Sequence, residues 1–142
     1  MEKVAIYPGS FNPWHKGHED ILKKALQIFD KVLVLQGNNI AKPISKSKDF
    51  LTEVYKLSDR AEAGFFNGLL VDAIKDLEVC AVVRGLRNGH DLEYEANNQY
   101  WNEDLGCSVP FVYFLCDRAY SHISSSAIRE VDLLRAEKEC GL

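Results

Sequence analysis

Two histidines spaced three apart, His15 and His18, stand where an apolar run gives way to an amphipathic segment. Around them the chain reads Tyr7-Pro8-Gly9-Ser10-Phe11-Asn12-Pro13-Trp14-His15-Lys16-Gly17-His18-Glu19-Asp20. Val4–Tyr7 precedes it, and Ile21, Leu22, Ala25, Leu26, Ile28 and Phe29 share one helical face after it. This pattern predicts a strand, a glycine-containing turn and a helix start. Free backbone N–H groups and the positive end of the helix dipole meet at such a point, which suits phosphate. Imidazoles placed there can donate hydrogen bonds to phosphate oxygens, so the chemistry implied is a reaction at phosphorus. Gly9 allows a tight bend, Gly17 a close backbone approach, and Pro8 and Pro13 stiffen the loop. Ser10 and Asn12 supply short polar groups that either meet a ligand or cap the helix. One histidine at a helix start is usually structural; the H-x-G-H arrangement with its glycines and prolines is a stronger signal.

Three further groups fall near expected strand ends. Arg84-Gly85-Leu86-Arg87 follows the run Val79–Val83. Two arginines there can clamp oxyanions, or can pair with the acids Asp91, Glu93 and Glu95. Spacing alone leaves these readings even, and the central glycine favours a ligand-facing loop. Ile123-Ser124-Ser125-Ser126-Ala127-Ile128-Arg129-Glu130 places serines before an apolar-periodic segment. One serine caps that helix and the others are free for a ligand at a second anion-suited helix start. Lys42 adds a point charge on the polar, basic stretch 37–48, read as a loop. Neither G-x-x-x-x-G-K-[ST] nor G-x-G-x-x-G occurs, which argues against an ordinary P-loop ATPase or a Rossmann dehydrogenase.

The elements that must position these groups alternate. Strand-length runs Val4–Tyr7, Val32–Gln36, Val79–Val83 and Phe111–Leu115, with a weaker one at Ala61–Phe66, are nearly continuous in apolar residues. A parallel sheet covered on both faces requires such runs. Helical patterns lie between and after them: Gly17–Phe29, Lys48–Leu57, Leu69–Leu77, Asp91–Leu105 and Ser125–Arg135. Alternation of strand and helix predicts an α/β fold, and ligands of open α/β sheets bind beyond the carboxyl ends of strands. The 142 residues make one domain, 1–142, with 46% hydrophobic and 27% charged residues as in ordinary globular chains. A net charge of −4 argues against nucleic-acid or anionic-membrane partners. No run approaches membrane-span length, and the Met-Glu-Lys start lacks a signal-peptide pattern, so a cytoplasmic location is expected. Cys80, Cys107, Cys116 and Cys140 show no metal-ligand spacing. Cys80 and Cys116 are expected to be buried free thiols.

Gly9-Ser10-Phe11-Asn12-Pro13 with His15-Lys16-Gly17-His18, and Ile123-Ser124-Ser125-Ser126, resemble the paired signatures of the nucleotidyltransferase superfamily. The block from Arg84-Gly85-Leu86-Arg87 through Asp91-Leu92-Glu93-Tyr94-Glu95 is similar to that of bacterial phosphopantetheine adenylyltransferases, the penultimate enzyme of coenzyme A synthesis. The resemblance runs from Val4 to about Glu130. It implies a three-layer, Rossmann-like nucleotidyltransferase fold: a mostly parallel five-stranded sheet flanked by helices. It also implies transfer of AMP from ATP to 4'-phosphopantetheine, with Mg²⁺ accompanying ATP.

Residue by residue, the resemblance gives Ser10 (usually threonine) a contact with the acceptor phosphate and Phe11 a backbone hold on ATP. His18 would bind the triphosphate and stabilise the transition state, with Lys42 on the acceptor and reacting phosphates and Arg87 beside them. Leu70, Arg84 and Asn102 would line the phosphopantetheine site. Gly85, Leu86, Arg87 and Glu95 would hold ATP, as would Tyr120, Ser121, His122, Ile123, Ser124, Ser125 and Ser126. Where the family generally has threonine this chain has His15, giving the H-x-G-H form more usual in nicotinamide-mononucleotide adenylyltransferases and cytidylyltransferases. Transfer to such another acceptor, or a non-catalytic nucleotide-binding relative, are the alternatives. The resemblance implies a homo-oligomer, a hexamer in the family.

Overall fold

Five largely apolar segments line up in one sheet, the central ones covered on both faces and the outer two reaching solvent at Glu62, Phe65 and Leu115. In the computed structural model, which describes residues 1–38, 50–120 and 122–139, the strands are β1 (Val4–Gly9), β2 (Lys31–Asn38), β3 (Ala61–Asn67), β4 (Ala81–Leu86) and β5 (Phe111–Leu115). Their order is β3-β2-β1-β4-β5 and every pairing is parallel, β1 matching Val4 to Lys31 on one side and Ala5 to Ala81 on the other. The expected α/β fold with a parallel five-stranded sheet is therefore observed, and the weak run at Ala61–Phe66 is an edge strand.

Alternation along the strands divides the core. Ala5, Tyr7, Val32, Val34, Ala81 and Val83 face the apolar stripe Ile21, Leu22, Ala25 and Leu26 of α1 (Lys16–Leu26), and Phe50 and Val54 of α2 (Phe50–Leu57). Ile6 and Val82 point the other way, towards Val71 and Ile74 of α3 (Leu70–Ile74) and Cys107. Helix α4 (Gly89–Asp104) leads to β5, and α5 (Ser125–Glu139) follows a short 3₁₀ turn at Arg118–Tyr120. From β1 the chain builds outward through β2 and β3, then crosses to β4 and β5. The strand order thus reverses between β1 and β4, whose carboxyl ends flank a crevice.

Two expectations are corrected. Strand β4 begins at Ala81, not Val79, and runs to Leu86, so Arg84 and Gly85 are strand residues and only Arg87 lies past its end. Cys80 is exposed at the turn before β4: its N–H bonds Val4 O at 2.8 Å while its side chain faces out. Among the described residues the buried thiol is instead Cys107, and Cys116 is half-buried. Lys42, Ser121 and Cys140 lie outside the described residues.

Candidate active site

The loop after β1 is shaped by what Gly9 lacks. A Cβ on Gly9 would stand 2.8 Å from the Phe11 ring, so the glycine makes room for that ring beneath the loop. Phe11 itself holds φ at 41°, in the left-handed region that a bulky residue adopts only when its surroundings dictate it. Those surroundings are the rings of Tyr7, Trp14, His18 and Phe50, whose centroids lie 4.9–5.4 Å from that of Phe11. The Asn12–Pro13 peptide is cis. From β2, the Gln36 amide donates to Ser10 O at 2.6 Å and Phe11 O at 3.2 Å. The loop is thereby held on both sides.

His15 is the N-cap of α1. Its Nδ1 accepts from Gly17 N at 3.1 Å, and His18 Nδ1 accepts from His15 N at 3.2 Å, a reciprocal capping box built from two imidazoles. Gly17 is needed here because the His15 ring folds back over it: an added Cβ would come 2.9 Å from His15 Cε1. The close approach expected at Gly17 is thus made by the neighbouring histidine. With both Nδ1 atoms accepting, each neutral ring carries its proton on Nε2. Burial, then the Arg87 charge, pushes the His15 pKa down to about 4. Burial, then His15, Arg84 and Arg87, holds His18 well below the ordinary value. Both rings are therefore neutral N–H donors at pH 7.

The two arginines have acidic partners. Arg84 donates to Glu95 in bidentate fashion, Nε to Oε2 and Nη2 to Oε1 both at 2.8 Å, while its Nη1 donates to Pro8 O. Burial opposes the Arg84 charge, and the Glu95 hydrogen bond and charge outweigh it. Glu95, 6% exposed, is turned towards Arg84 and also receives Tyr113 OH at its backbone carbonyl. Arg87 pairs with Asp91 at 3.2 Å on the opening turn of α4, and Asn88 caps that helix by accepting from Asp91 N at 3.1 Å. Both arginines nevertheless reach the crevice. Gly85 brings α1 close: a Cβ there would meet Ile21 Cγ1 at 2.7 Å.

The serine run divides its labour. Ser124 is the cap, its Oγ accepting from Ala127 N at 3.1 Å. Ser125 Oγ donates to Pro13 O at 2.9 Å, tying α5 to the histidine loop. Arg129, one turn on, donates to Asn12 O and to Ser126 Oγ at 3.2 Å.

These elements enclose two adjoining clefts. One, of about 250 Å³, is lined by Ser10, Phe11, His15, His18, Arg84, Gly85, Leu86, Arg87, Asp91, Ile123, Ser124, Ser125, Ser126 and Arg129, among others. The second, of about 500 Å³, is lined by Pro8, Gly9, Ser10, Gly37, Phe66, Gly68, Leu69, Leu70, Arg84, Asn98, Trp101, Asn102 and Leu105. Pro8, Gly9, Ser10 and Arg84 belong to both. Most residues singled out in the sequence thus converge, Leu70, Arg84 and Asn102 in the second cleft and the rest in the first. Glu95, Tyr120 and His122 do not line either cleft. Arg129, Tyr7 and Cys116 also line the first cleft without having been singled out for it, as does Asp91, expected only as a partner of the arginines. For Arg129 a signal existed, its spacing of three and four from Ser126 and Ser125 on one helical face. Tyr7 and Cys116 face the cleft uncharged, since burial raises both pKa values.

Residues 6–131 match the cytidylyltransferase-like family. A phosphopantetheine adenylyltransferase of Syntrophomonas wolfei is 38% identical over 136 residues, covering 93% of this chain and 84% of the relative. One from Mycoplasma capricolum is 37% identical over 138 residues, covering 94% and 99%. The chain belongs to the phosphopantetheine adenylyltransferase family. The same fold occurs in the pantoate-beta-alanine ligase of Francisella tularensis, with a TM-score of 0.66 at 11% identity over 90% of this chain and 65% of that one. In this family's frame the departure at His15 has a physical explanation. Its ring serves as N-cap to α1, a duty that threonine also performs.

Proposed function

We propose that this chain is an enzyme that transfers AMP from ATP to 4'-phosphopantetheine, releasing pyrophosphate and forming dephospho-coenzyme A. The observation that carries this reading is the meeting of two unlike clefts at Ser10 and Arg84. The first presents imidazole and guanidinium donors with a capped helix start, a surface for a triphosphate. The second is larger and combines Leu69, Leu70, Trp101 and Leu105 with the amides of Asn98 and Asn102. That mixture suits an acceptor whose phosphate sits at Ser10 and Arg84 and whose arm is aliphatic with amide groups.

Chemistry follows from placement. The acceptor phosphate attacks the α-phosphorus in line with the departing pyrophosphate, and such a transfer relies on positioning and charge stabilisation rather than on a protein nucleophile. His18 Nε2–H donates to the oxygen that gains charge, Arg87 steadies the phosphates, and the serine helix start receives the nucleotide. Lys42 would add a charge on the reacting phosphates. Among the described residues the first cleft contains one carboxylate, Asp91, already paired with Arg87. That donor set fits a Mg²⁺ carried by triphosphate oxygens and water, where it would offset phosphate charge. His15, whose Nδ1 is engaged in the cap, has a structural duty there that does not depend on the acceptor. No described helix is long and apolar enough to cross a membrane; a cytoplasmic homo-oligomer accords with the reading.

The test is pyrophosphate release from ATP with 4'-phosphopantetheine, nicotinamide mononucleotide and glycerol phosphate in parallel. Release with the first alone is expected. Release with nicotinamide mononucleotide alone would overturn the acceptor, and silence with all three would favour a non-catalytic nucleotide-binding protein.

A further inference from the structure

We propose that Trp14 is a positioning residue for His18, its indole face fixing the imidazole so that Nε2–H points into the cleft. His18 stacks on two rings at once. The His15 ring lies 3.7 Å away at 24°, and the Trp14 ring 5.2 Å away at 28°. Both rings lie near-parallel to the imidazole, so turning it would disturb each of these stacks. Phe11 closes the edge at 4.9 Å and 83°. Rotation of the ring would need one of these contacts to open, and it would also remove Nδ1 from its bond to His15 N.

What holds Trp14 is its ring system. The indole meets Phe11 at 5.0 Å, Phe50 at 5.7 Å and Tyr7 at 6.3 Å. Its Nε1–H is enclosed without a hydrogen-bond partner among the described residues. An enclosed, unpartnered N–H is a cost that a plain apolar side chain would avoid. The broad aromatic face is what the site gains in exchange, since it spans His18 and the core rings together.

The consequence for turnover rests on the adenylyl-transfer reading above; the ring orientation does not. The experiment compares the full-length wild type with Trp14→Phe and Trp14→Met, the first keeping a ring without the N–H and the second keeping bulk without a ring. Histidine ¹⁵N spectra, with and without pyrophosphate, report the His18 tautomer, and steady-state assays report kcat and KM. Expected are one Nε2–H tautomer in the wild type and Trp14→Phe, and mixed tautomers in Trp14→Met. In Trp14→Met kcat should fall by about tenfold to a hundredfold, as for a small misplacement of a catalytic group, with KM for the acceptor nearly unchanged. A cooperatively folded Trp14→Met that keeps the wild-type tautomer, or keeps wild-type kcat, would overturn the proposal. So would a wild-type His18 that samples both tautomers, whether or not the methionine variant folds. A wild type that turns over none of the acceptors would sink the adenylyl-transfer reading, and the tautomer comparison would still judge Trp14.

Discussion

Replacing Glu95 with glutamine separates two roles that one residue could have. The resemblance to known adenylyltransferases assigns Glu95 to ATP; the structure turns its carboxylate onto Arg84, with two contacts of 2.8 Å. Glutamine has the same size, and its carbonyl can still accept from one Arg84 N–H. Its NH₂ group, however, faces the other guanidinium donor, and the negative charge that offsets burial of Arg84 is gone. Breaking a buried pair by neutralising one partner costs about 3–5 kcal/mol. With the Arg84 side chain 21% exposed, the lower end of that range, about 3 kcal/mol, is expected. Arg84 would then lose its fixed orientation where the two clefts meet. Loss of one well-placed charged hydrogen bond, about 1.5–3 kcal/mol, corresponds to a rise of roughly tenfold to a hundredfold in the acceptor KM. Urea unfolding gives the stability change, and steady-state kinetics with each substrate varied gives the two KM values. A Glu95→Gln protein of wild-type stability whose KM rises for ATP alone would refute this reasoning and return Glu95 to the nucleotide.

Other outcomes follow from the same geometry. His18→Ala should lower kcat by about 10²–10³, the effect of removing one oxyanion donor, while circular dichroism stays native; unchanged turnover would exclude the role given to His18. Gly85→Ala places a Cβ 2.7 Å from Ile21 Cγ1, so a loss of about 1–3 kcal/mol from overpacking and a reduced kcat are expected as α1 is displaced, measured by denaturation and assay. Stability should also fall below pH 6.5. The unfolded chain protonates His15 and His18 near 6.5, whereas the folded state resists until about pH 4 for His15 and also well below 6.5 for His18. The unfolded state therefore binds more protons in that window, so each neutral histidine contributes stability that is fully present above 6.5 and lost on acidification, at up to about 1.4 kcal/mol per pH unit and less for the partly solvent-screened His15. Urea midpoints from pH 7.5 to 5 would show it, and a flat profile would contradict the capping box.

The central strands were legible because residues buried on both faces write themselves as apolar runs, and the start of α5 because a serine, Ser124, falls at the capping position. Helix α4 begins at Gly89 rather than Asp91, and the caps His15 and Asn88 were not legible. The end of β4 was not, since Arg84 breaks the apolar run while still lying in the ladder, opposite Tyr113. Its charge is tolerated there only because Glu95, eleven residues on, folds back to it, a tertiary fact that spacing left undecided against a ligand role. Cys80 looked buried because it adjoins Ala81-Val82-Val83, yet it sits just outside the strand. The glycines illustrate a different limit. Gly9, Gly17 and Gly85 are required, but by the rings of Phe11 and His15 and the side chain of Ile21, which no local pattern names. The pairing of Trp14 with His18 likewise depends on side chains folding over one another at the helix start.

The most direct test of AMP transfer follows the α-phosphorus itself. ATP labelled at the α-phosphate is incubated with the protein, Mg²⁺ and 4'-phosphopantetheine, and the products are separated and weighed by mass spectrometry. The geometry of the two clefts predicts that label moves into dephospho-coenzyme A, with one pyrophosphate released per label transferred. Label that remains in ATP, or that appears as free AMP with the acceptor unchanged, would contradict it.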